Sequence, residues 1–175
     1  MPYEETAAPA GYEPIIKFSG IFDFAGLYAH VVTWLKAKEY LFSETKYNYK
    51  PAGVGHEVEI AWEAEKKVTE WYKQKYEIEI KLWDYNEIEV IQEGKKQNLV
   101  KGRIQIIIKG KVLFDYEKKF EGTKALVKIR DWFQKHIYRR YYEFKIWDPF
   151  YHEVYALHSE IKEFLQMQTV GRAFA

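Results

Sequence analysis

The sequence contains no cysteine, which excludes disulfide bonds, thiol nucleophiles and cysteine-based zinc sites. No run approaches the ~20 apolar residues that a membrane-spanning helix needs, and the first residues lack the apolar core of a signal peptide. Neither sign of charge is in excess, since 27 Lys and Arg face 26 Asp and Glu, for a formal net charge of +1. We therefore expect a cytoplasmic protein without a membrane span, and the global charge disfavours nucleic acid as a partner.

Residue patterns that carry catalysis or metal binding are also scarce. None of the five histidines lies four residues from another, so the sequence has no helical histidine pair for a metal. The three serines lie outside any nucleophile-elbow motif, and the glycines form no phosphate-binding loop. We expect no metal and no cofactor, and the sequence favours a binding role over an enzymatic one.

Aromatic and charged residues, by contrast, are abundant. Phe, Trp and Tyr make up 18% of the 175 residues, enough for a sizeable core in one domain. Three prolines and several small residues predict a flexible tail over residues 1–14. A single domain is predicted over 15–171, followed by a C-terminal tail at 172–175. Abundant Lys and Glu without cysteine is typical of proteins from thermophiles.

The segment 99–120 shows the strongest pattern in the chain. Apolar or small residues recur at every second position, and most residues between them are charged. This alternation is typical of a half-buried strand, because successive side chains leave opposite faces. We predict a long, curved strand whose core-facing set is Val100, Gly102, Ile104, Ile106, Ile108, Gly110, Val112, Phe114 and Tyr116.

Two further segments alternate in the same way. Residues 57–65 predict a strand with an acidic outer face, and residues 74–93 alternate with an interruption at 83–87. That interruption is either a tight turn between two short strands or a bend in one long strand. A hairpin loop at 94–98 favours the single long strand, with Ile78 opposite Phe114, Leu82 opposite Gly110 and Val90 opposite Gly102. Residues 42–55 contain one proline and two glycines and predict a connection.

Helical spacing of apolar residues predicts helices over 24–40, 123–144 and 149–165. Asp148 followed by Pro149 is a good start signal for the last of these. The predicted fold class is α+β. A curved antiparallel sheet of three long or four shorter strands has one N-terminal helix and two C-terminal helices packed on one face. This order resembles that of helix-grip and cystatin-like domains, which are classes of shape and supply no motif in this sequence.

The leading functional hypothesis is a non-catalytic module that binds a protein partner or forms a homo-oligomer. The last predicted helix has an apolar stripe for the core and a flanking row of Tyr151, Tyr155 and His158. Such amphipathic side chains tolerate water in the free protein and are enriched at interfaces. The sequence therefore predicts a partner-binding surface on this row.

Two alternative functions stay open. Glycine on the apolar face of a strand marks a bend or a close approach, or leaves floor space for a ligand. The second reading predicts a carrier of an apolar small molecule, with a cavity at Gly102, Gly110 and Phe114. The basic helix 123–142 predicts nucleic-acid or anionic-surface binding through Arg130, Lys135, Arg139 and Arg140.

Overall fold

Six antiparallel strands and two α-helices make up the part of the chain that the structure describes. The computed structural model describes residues 3–6, 13–51, 55–92, 95–117, 128 and 143–167. The strands are β1 (Tyr3–Thr6), β2 (Ile15–Phe22), β3 (Leu41–Pro51), β4 (His56–Lys67), β5 (Tyr72–Gln92) and β6 (Lys95–Phe114). The helices are α1 (Phe24–Ala37) and α2 (Asp148–Phe164), and a π-helical turn, Glu143–Trp147, leads into α2.

The strands form one sheet in the order β1–β6–β5–β4–β3. β2 shares an edge of β6 with β1, because β2 pairs with residues 100–107 and β1 with residues 111–114. β3 lies at the opposite edge and pairs with β4 alone among the described residues. The α+β class and the antiparallel sheet of the prediction are confirmed, but the sheet has six strands instead of three or four.

One face of the sheet, called the inner face here, carries the core. The alternating apolar residues of β4, of β5 up to Leu82 and of β6 from Val100 to Phe114 are buried on it as predicted, with exposed fractions of 0–5%. Ile88 and Val90 lie on the outer face instead, and Tyr116 lies beyond the end of β6. α1 covers this face with Leu27, Val31 and Leu35. α2 covers it with Phe150, Val154, Leu157 and Ile161. The core therefore lies between the sheet and a layer that contains both helices.

The two helices begin differently, because α1 has a side-chain cap whereas α2 continues from the π-helical turn without one. The carboxylate of Asp23 accepts a hydrogen bond from the backbone N–H of Gly26 at 2.8 Å, which satisfies one free donor of the first turn of α1. Pro149 occupies the first turn of α2, where a missing N–H costs nothing. The two helices then meet at His30 and Glu160, whose Nε2 and Oε2 atoms are 3.3 Å apart.

β5 is a single long strand, which confirms the favoured interpretation of residues 83–87. The predicted pairing with β6 is wrong, however, because Leu82 lies opposite Ile104 and Ile78 lies opposite Ile108. The predicted hairpin loop at 94–98 is also wrong, since Gln92 already pairs with Lys95. The shorter connection moves the partner of Val90 by five positions, from Gly102 to Gln97, and an irregularity between Trp83 and Asn86 adds a sixth for Leu82 and Ile78. Apolar side chains up to Leu82 stay together on the inner face.

The predictions for residues 42–55, 123–144 and 1–14 have different outcomes. The connection predicted over 42–55 is wrong for most of its length, because β3 is an 11-residue strand. β3 escaped prediction because most of its side chains are exposed, so no apolar alternation marks it. The helix predicted over 123–144 falls largely outside the described residues. Within the predicted tail 1–14, residues Tyr3–Thr6 form β1.

Candidate functional site

A β-bulge in β5 shapes the most unusual surface of the molecule. Between Trp83 and Asn86 the pairing with β6 shifts by one residue, and Asp84 has a positive φ of 55°. The bulge changes the face on which the following residues lie, because one extra residue breaks the two-residue period. Without it, Tyr85 and Glu87 would share the outer face with Trp83. With it, Tyr85 lies opposite His56 and Glu87 opposite Val100, both on the inner face.

Glycines on both neighbouring strands make room for the bulge. A Cβ atom on Gly102 would lie 2.9 Å from the carbonyl oxygen of Trp83 and 3.1 Å from that of Asp84. A Cβ atom on Gly55 would lie 2.8 Å from the Cα of Asp84, and Gly55 has a φ of 89°. The side chain of Asp84 accepts a hydrogen bond from Nε of Arg103 at 2.8 Å. Gly102 thus lies in close contact with the backbone of β5, which is one of the roles predicted for a glycine at this position.

The bulge assembles a group of side chains from three strands that we call the tyrosine patch. Tyr47 and Tyr49 of β3 lie opposite Ile60 and Val58, which places both tyrosines on the inner face. β5 and β4 complete the patch, whose members are Tyr47, Tyr49, His56, Tyr85 and Glu87. The patch therefore lies on the inner face near the hairpin end of the sheet.

The rings of the tyrosine patch stand at defined angles. The ring centroids of Tyr49 and Tyr85 are 6.4 Å apart, and the ring planes are nearly perpendicular at 86°. The imidazole of His56 lies against the other side of the group, with its centroid 4.8 Å from that of Tyr49 and the planes tilted by 33°. The rings of Tyr49 and Tyr85 thus form an aromatic corner, and its side chains come from different strands.

A carboxylate closes one side of this corner. Oη of Tyr85 donates a hydrogen bond to Oε1 of Glu87 at 2.7 Å. Burial, followed by the hydrogen bond and charge of Glu87 and the proximity of Tyr47 and Tyr49, raises the pKa of Tyr85 above its ordinary value. The phenol therefore stays protonated and donating at neutral pH, and the carboxylate is the acceptor.

The patch is open to solvent although the face that carries it is otherwise the core. Tyr47 is 59% exposed and Tyr49 is 48% exposed, whereas their cross-strand partners Ile60 and Val58 are 3% and 2% exposed. The helices thus leave this end of the inner face uncovered, and the result is an exposed aromatic surface next to a free sheet edge.

The predicted partner-binding row forms a continuous line on α2. Ring centroids are 4.7 Å apart for Tyr151 and Tyr155 and 6.1 Å apart for Tyr155 and His158. A hydrogen bond with Tyr151, followed by partial burial, raises the pKa of Tyr155. Burial and the nearby charge of Lys162 lower the pKa of His158. All three side chains are half-buried, so this row offers less free surface than Tyr47 and Tyr49.

A second polar cluster lies deep in the core and joins α2 to the sheet. Oε1 of Glu153 accepts hydrogen bonds from Oη of Tyr40 at 2.8 Å and of Tyr76 at 3.2 Å. Gln74 lies 2.9 Å from the same hydroxyl of Tyr40. Burial, with the charge and hydrogen bonds of Glu153, raises the pKa of both tyrosines. Tyr40 and Tyr76 are 3% and 0% exposed, whereas Glu153 and Gln74 are half-buried, so the cluster reaches from the core toward the surface and ties α2 to the sheet.

The residues predicted for a ligand cavity are not brought together. Gly102 faces the bulge, Gly110 is buried opposite Tyr76, and Phe114 lies in the core with its ring centroid 6.1 Å from that of Tyr72. Gly102 and Gly110 are about 26 Å apart along β6, at about 3.3 Å per residue. These three positions therefore do not line one common cavity.

The remaining predictions concern the basic residues, a metal site and a membrane span. Arg130, Lys135, Arg139 and Arg140 lie outside the described residues. Within the described part of the chain, no group of three or more His, Asp or Glu side chains is arranged to hold a metal ion. No helix in the same residues is long and apolar enough to cross a membrane.

No member of the tyrosine patch is among the site residues predicted from the sequence. One signal was present: Tyr47 and Tyr49 alternate with polar residues in the stretch 45–50, and Thr and Tyr favour strands. That pattern predicts a strand that shows aromatic side chains on one face. The inward turn of Tyr85 and Glu87 has no such signal, because it depends on the bulge.

Comparisons with known proteins identify no relative. No protein-family model matches the chain, and no curated protein is similar to it in sequence. Function is therefore inferred from the geometry of the described residues.

Proposed function

We propose that this protein is a non-catalytic module that associates with a second copy of itself through the edge strand β3. The observation that carries the proposal is the exposure of β3, which pairs with β4 alone among the described residues: Leu41, Tyr47 and Tyr49 are 81%, 59% and 48% exposed. A long edge strand with unpaired backbone groups is a template for another strand. Exposed tyrosines beside it are typical anchors of protein interfaces.

Symmetry selects one arrangement for two copies of β3. A two-fold axis perpendicular to the sheet pairs identical strands antiparallel and keeps inner side chains with inner side chains. Phe42, Glu44, Tyr47 and Tyr49 are the inner residues, since they lie opposite Ala64, Trp62, Ile60 and Val58. The register that places Phe42 opposite Tyr49 and Glu44 opposite Tyr47 satisfies this condition. It also places Ser43 opposite Asn48 on the outer face, so no like charges oppose each other.

Because the chain has no cysteine, this register has a direct test. Ser43→Cys and Asn48→Cys are prepared as separate proteins and mixed under mild oxidation. Directly opposed residues in an antiparallel pair have Cα atoms about 4.5–5.5 Å apart, within the range of a disulfide. We expect a disulfide-linked dimer in the mixture and far less in either protein alone. Equal cross-linking in all three samples, or none in the mixture, contradicts the proposed interface.

Native mass spectrometry of the unmodified protein gives an independent measurement. We expect a dimer that is lost when charge is added to the edge in the variant Leu41→Lys with Asn48→Lys, because edge lysines oppose strand pairing. Both residues are exposed, so the fold should be preserved. The matched control is Ala29→Lys with Thr33→Lys, which adds the same charge to the exposed face of α1. A dimer that persists in the edge variant contradicts the proposal.

The row Tyr151, Tyr155 and His158 is a second candidate surface for a protein partner, supported by its continuous line of rings. Its test is Tyr151→Ala with Tyr155→Ala. If this surface is used, the variant keeps its circular dichroism spectrum and loses the oligomer, and truncation of such anchors costs about 2 kcal/mol or more of binding. If the variant stays dimeric, the helix row is not the dimer interface.

A further inference from the structure

We propose that the tyrosine patch binds an organic cation of the alkylammonium class. The site is complete within one chain and does not depend on the self-association proposed above. Its parts are the perpendicular rings of Tyr49 and Tyr85, the neighbouring ring of Tyr47 and the carboxylate of Glu87.

Ring geometry is the first argument. The face of a tyrosine ring carries negative potential and attracts a cation within about 6 Å of its centroid. The rings of Tyr49 and Tyr85 meet edge to face, with planes at 86° and centroids 6.4 Å apart, and a small cation can lie against the ring face that this contact leaves open. Two aliphatic residues in these positions would make an apolar surface without this preference for positive charge. Tyr47 and Tyr49 are 59% and 48% exposed, so a ligand can reach their rings from solvent.

Charge is the second argument. The register places three carboxylates on the inner face at this end of the sheet, those of Glu44, Glu87 and Glu89. Glu89 is paired with Lys96 at 3.3 Å, and the carboxylate of Glu44 accepts a hydrogen bond from Nε1 of Trp62 at 3.2 Å. Lys46 and Lys50, on the same edge strand, bind Glu59 on the outer face instead. Among the described residues, the carboxylate of Glu87 therefore lies beside the rings without an ion pair to a cation.

The bulge is the third argument. A regular strand would place Tyr85 and Glu87 on the outer face, and the change of face is what joins them to Tyr47 and Tyr49. The bulge also depends on glycines at 55 and 102, where any side chain would collide with backbone atoms. Bulges that redirect side chains are over-represented beside functional sites. Four groups that suit one kind of ligand are thus brought together by an irregular feature of the sheet.

The test measures binding of choline, the probe cation, by the chemical shifts of tyrosine ring protons. The neutral compound 3,3-dimethylbutan-1-ol is the control ligand, since it has the same shape without the charge. We expect choline to shift the rings of Tyr49 and Tyr85 and to bind about tenfold more tightly than the neutral compound, the preference expected of a partly desolvated cation–π contact. Equal binding of the two compounds, or no shift at these rings, overturns the proposal.

Variants separate the contribution of the rings from that of the carboxylate. Tyr49→Leu removes a ring and Glu87→Gln removes the charge, and each should weaken choline binding about fivefold or more. Tyr49→Phe keeps the ring and should bind within about twofold of wild type. Tyr116→Leu, beyond the opposite end of β6, is the control outside the patch and should leave binding unchanged. Unchanged binding in both Tyr49→Leu and Glu87→Gln overturns the proposal, and circular dichroism verifies that each variant is folded.

A trimethyllysine residue within a peptide carries the same cationic group as choline. Tighter binding of that peptide than of choline assigns the site to a modified protein tail, and equal binding assigns it to a free small cation. Both results retain the alkylammonium class, whereas a peptide with uncharged norleucine at the same position that binds as tightly as the trimethylated one overturns it.

Discussion

At the scale of single residues, Glu153 ties α2 to the sheet. Its carboxylate accepts hydrogen bonds from Tyr40 and Tyr76, two hydroxyls that have almost no access to water. A buried hydroxyl without an acceptor costs about 1–3 kcal/mol. The side chain of Gln74 is the other group within hydrogen-bond distance of Tyr40. Since that hydroxyl has one proton, we infer that Tyr40 donates to Glu153 and accepts from the amide of Gln74.

The first prediction concerns the acceptor at position 153. Glu153→Ala should lower the free energy of unfolding by about 2–4 kcal/mol, because both tyrosine hydroxyls lose their acceptor. Glu153→Gln keeps a carbonyl oxygen and should cost about 1 kcal/mol or less. Urea unfolding of both variants checks the difference. If the two variants have the same stability, acceptance by Glu153 is not what stabilises the contact.

The second prediction concerns alkaline pH. The pKa of Tyr40 and of Tyr76 is raised in the folded state above the ordinary value of about 10. Their contribution to stability is therefore fully present below pH ~10 and is lost as the pH rises further, since the unfolded chain ionises there first. We expect Tyr40→Phe with Tyr76→Phe to decline less steeply than wild type above pH ~10 in thermal melts. An identical slope contradicts the assignment.

At the scale of elements, the bulge of β5 determines the face on which the residues of β5 beyond Asp84 lie. On the tyrosine side it brings Tyr85 and Glu87 inward. On the other side it sends Ile88 outward, opposite Leu99, so the two half-buried residues pair on the outer face. The expectation that Ile88 and Val90 continue the inner alternation of Leu82 is wrong for this reason.

The third prediction tests the space that the bulge needs. Gly102→Ala should lower the free energy of unfolding by about 1–3 kcal/mol, because its Cβ would lie 2.9 Å from a backbone carbonyl that cannot rotate away. Lys101→Ala, at the next and exposed position, is the control and should change stability by less than about 0.5 kcal/mol. Urea midpoints of the two variants are compared. A midpoint for Gly102→Ala equal to that of the control means that the strands separate easily at this point.

At the scale of the whole molecule, ion pairs across β4, β5 and β6 cover the outer face of the sheet. Lys75 lies 3.0 Å from Glu63 and 3.3 Å from Glu77, and Glu77 also binds Lys111 at 2.9 Å. Further pairs join Lys73 to Glu65 and Lys109 to Glu79, each at 2.8 Å. Paired charges on the outer face are well solvated, so this face needs no covering layer. The inner face and the β3 edge are therefore the described surfaces with exposed aromatic rings.

The fourth prediction concerns acid stability. Burial opposes ionisation of Glu77, but the hydrogen bonds and charges of Lys111 and Lys75 outweigh it and lower the pKa of Glu77. The stabilisation is therefore present above the ordinary glutamate pKa and is lost as the pH falls through the lowered value. We expect Glu77→Gln to be about 1 kcal/mol less stable than wild type at pH 7 and nearly equal to it at pH ~3. Glu39→Gln, at an exposed surface pair, is the control, and a constant difference across this pH range contradicts the prediction.

The alternation of apolar residues by itself determined the long strands, the inner face and most of the core. Ile104, Ile106 and Ile108 are buried where the pattern places them, as are Ile78 and Ile80. The same is true of the apolar stripes of α1 and α2. This part was predictable because a side chain's preference for water and the period of its element are local properties.

Only the tertiary structure decided the edge strand β3, the β5–β6 register and the tyrosine patch. β3 pairs with β4 through its backbone and exposes most of its side chains, so composition does not mark it. The register depends on the length of the hairpin connection, and both candidate registers keep the apolar faces together. The patch depends on a single bulged residue, Asp84, which fits because Gly55 and Gly102 from distant parts of the chain lie against it. Contacts of that kind reverse the face of Tyr85 and Glu87 while leaving every local propensity unchanged.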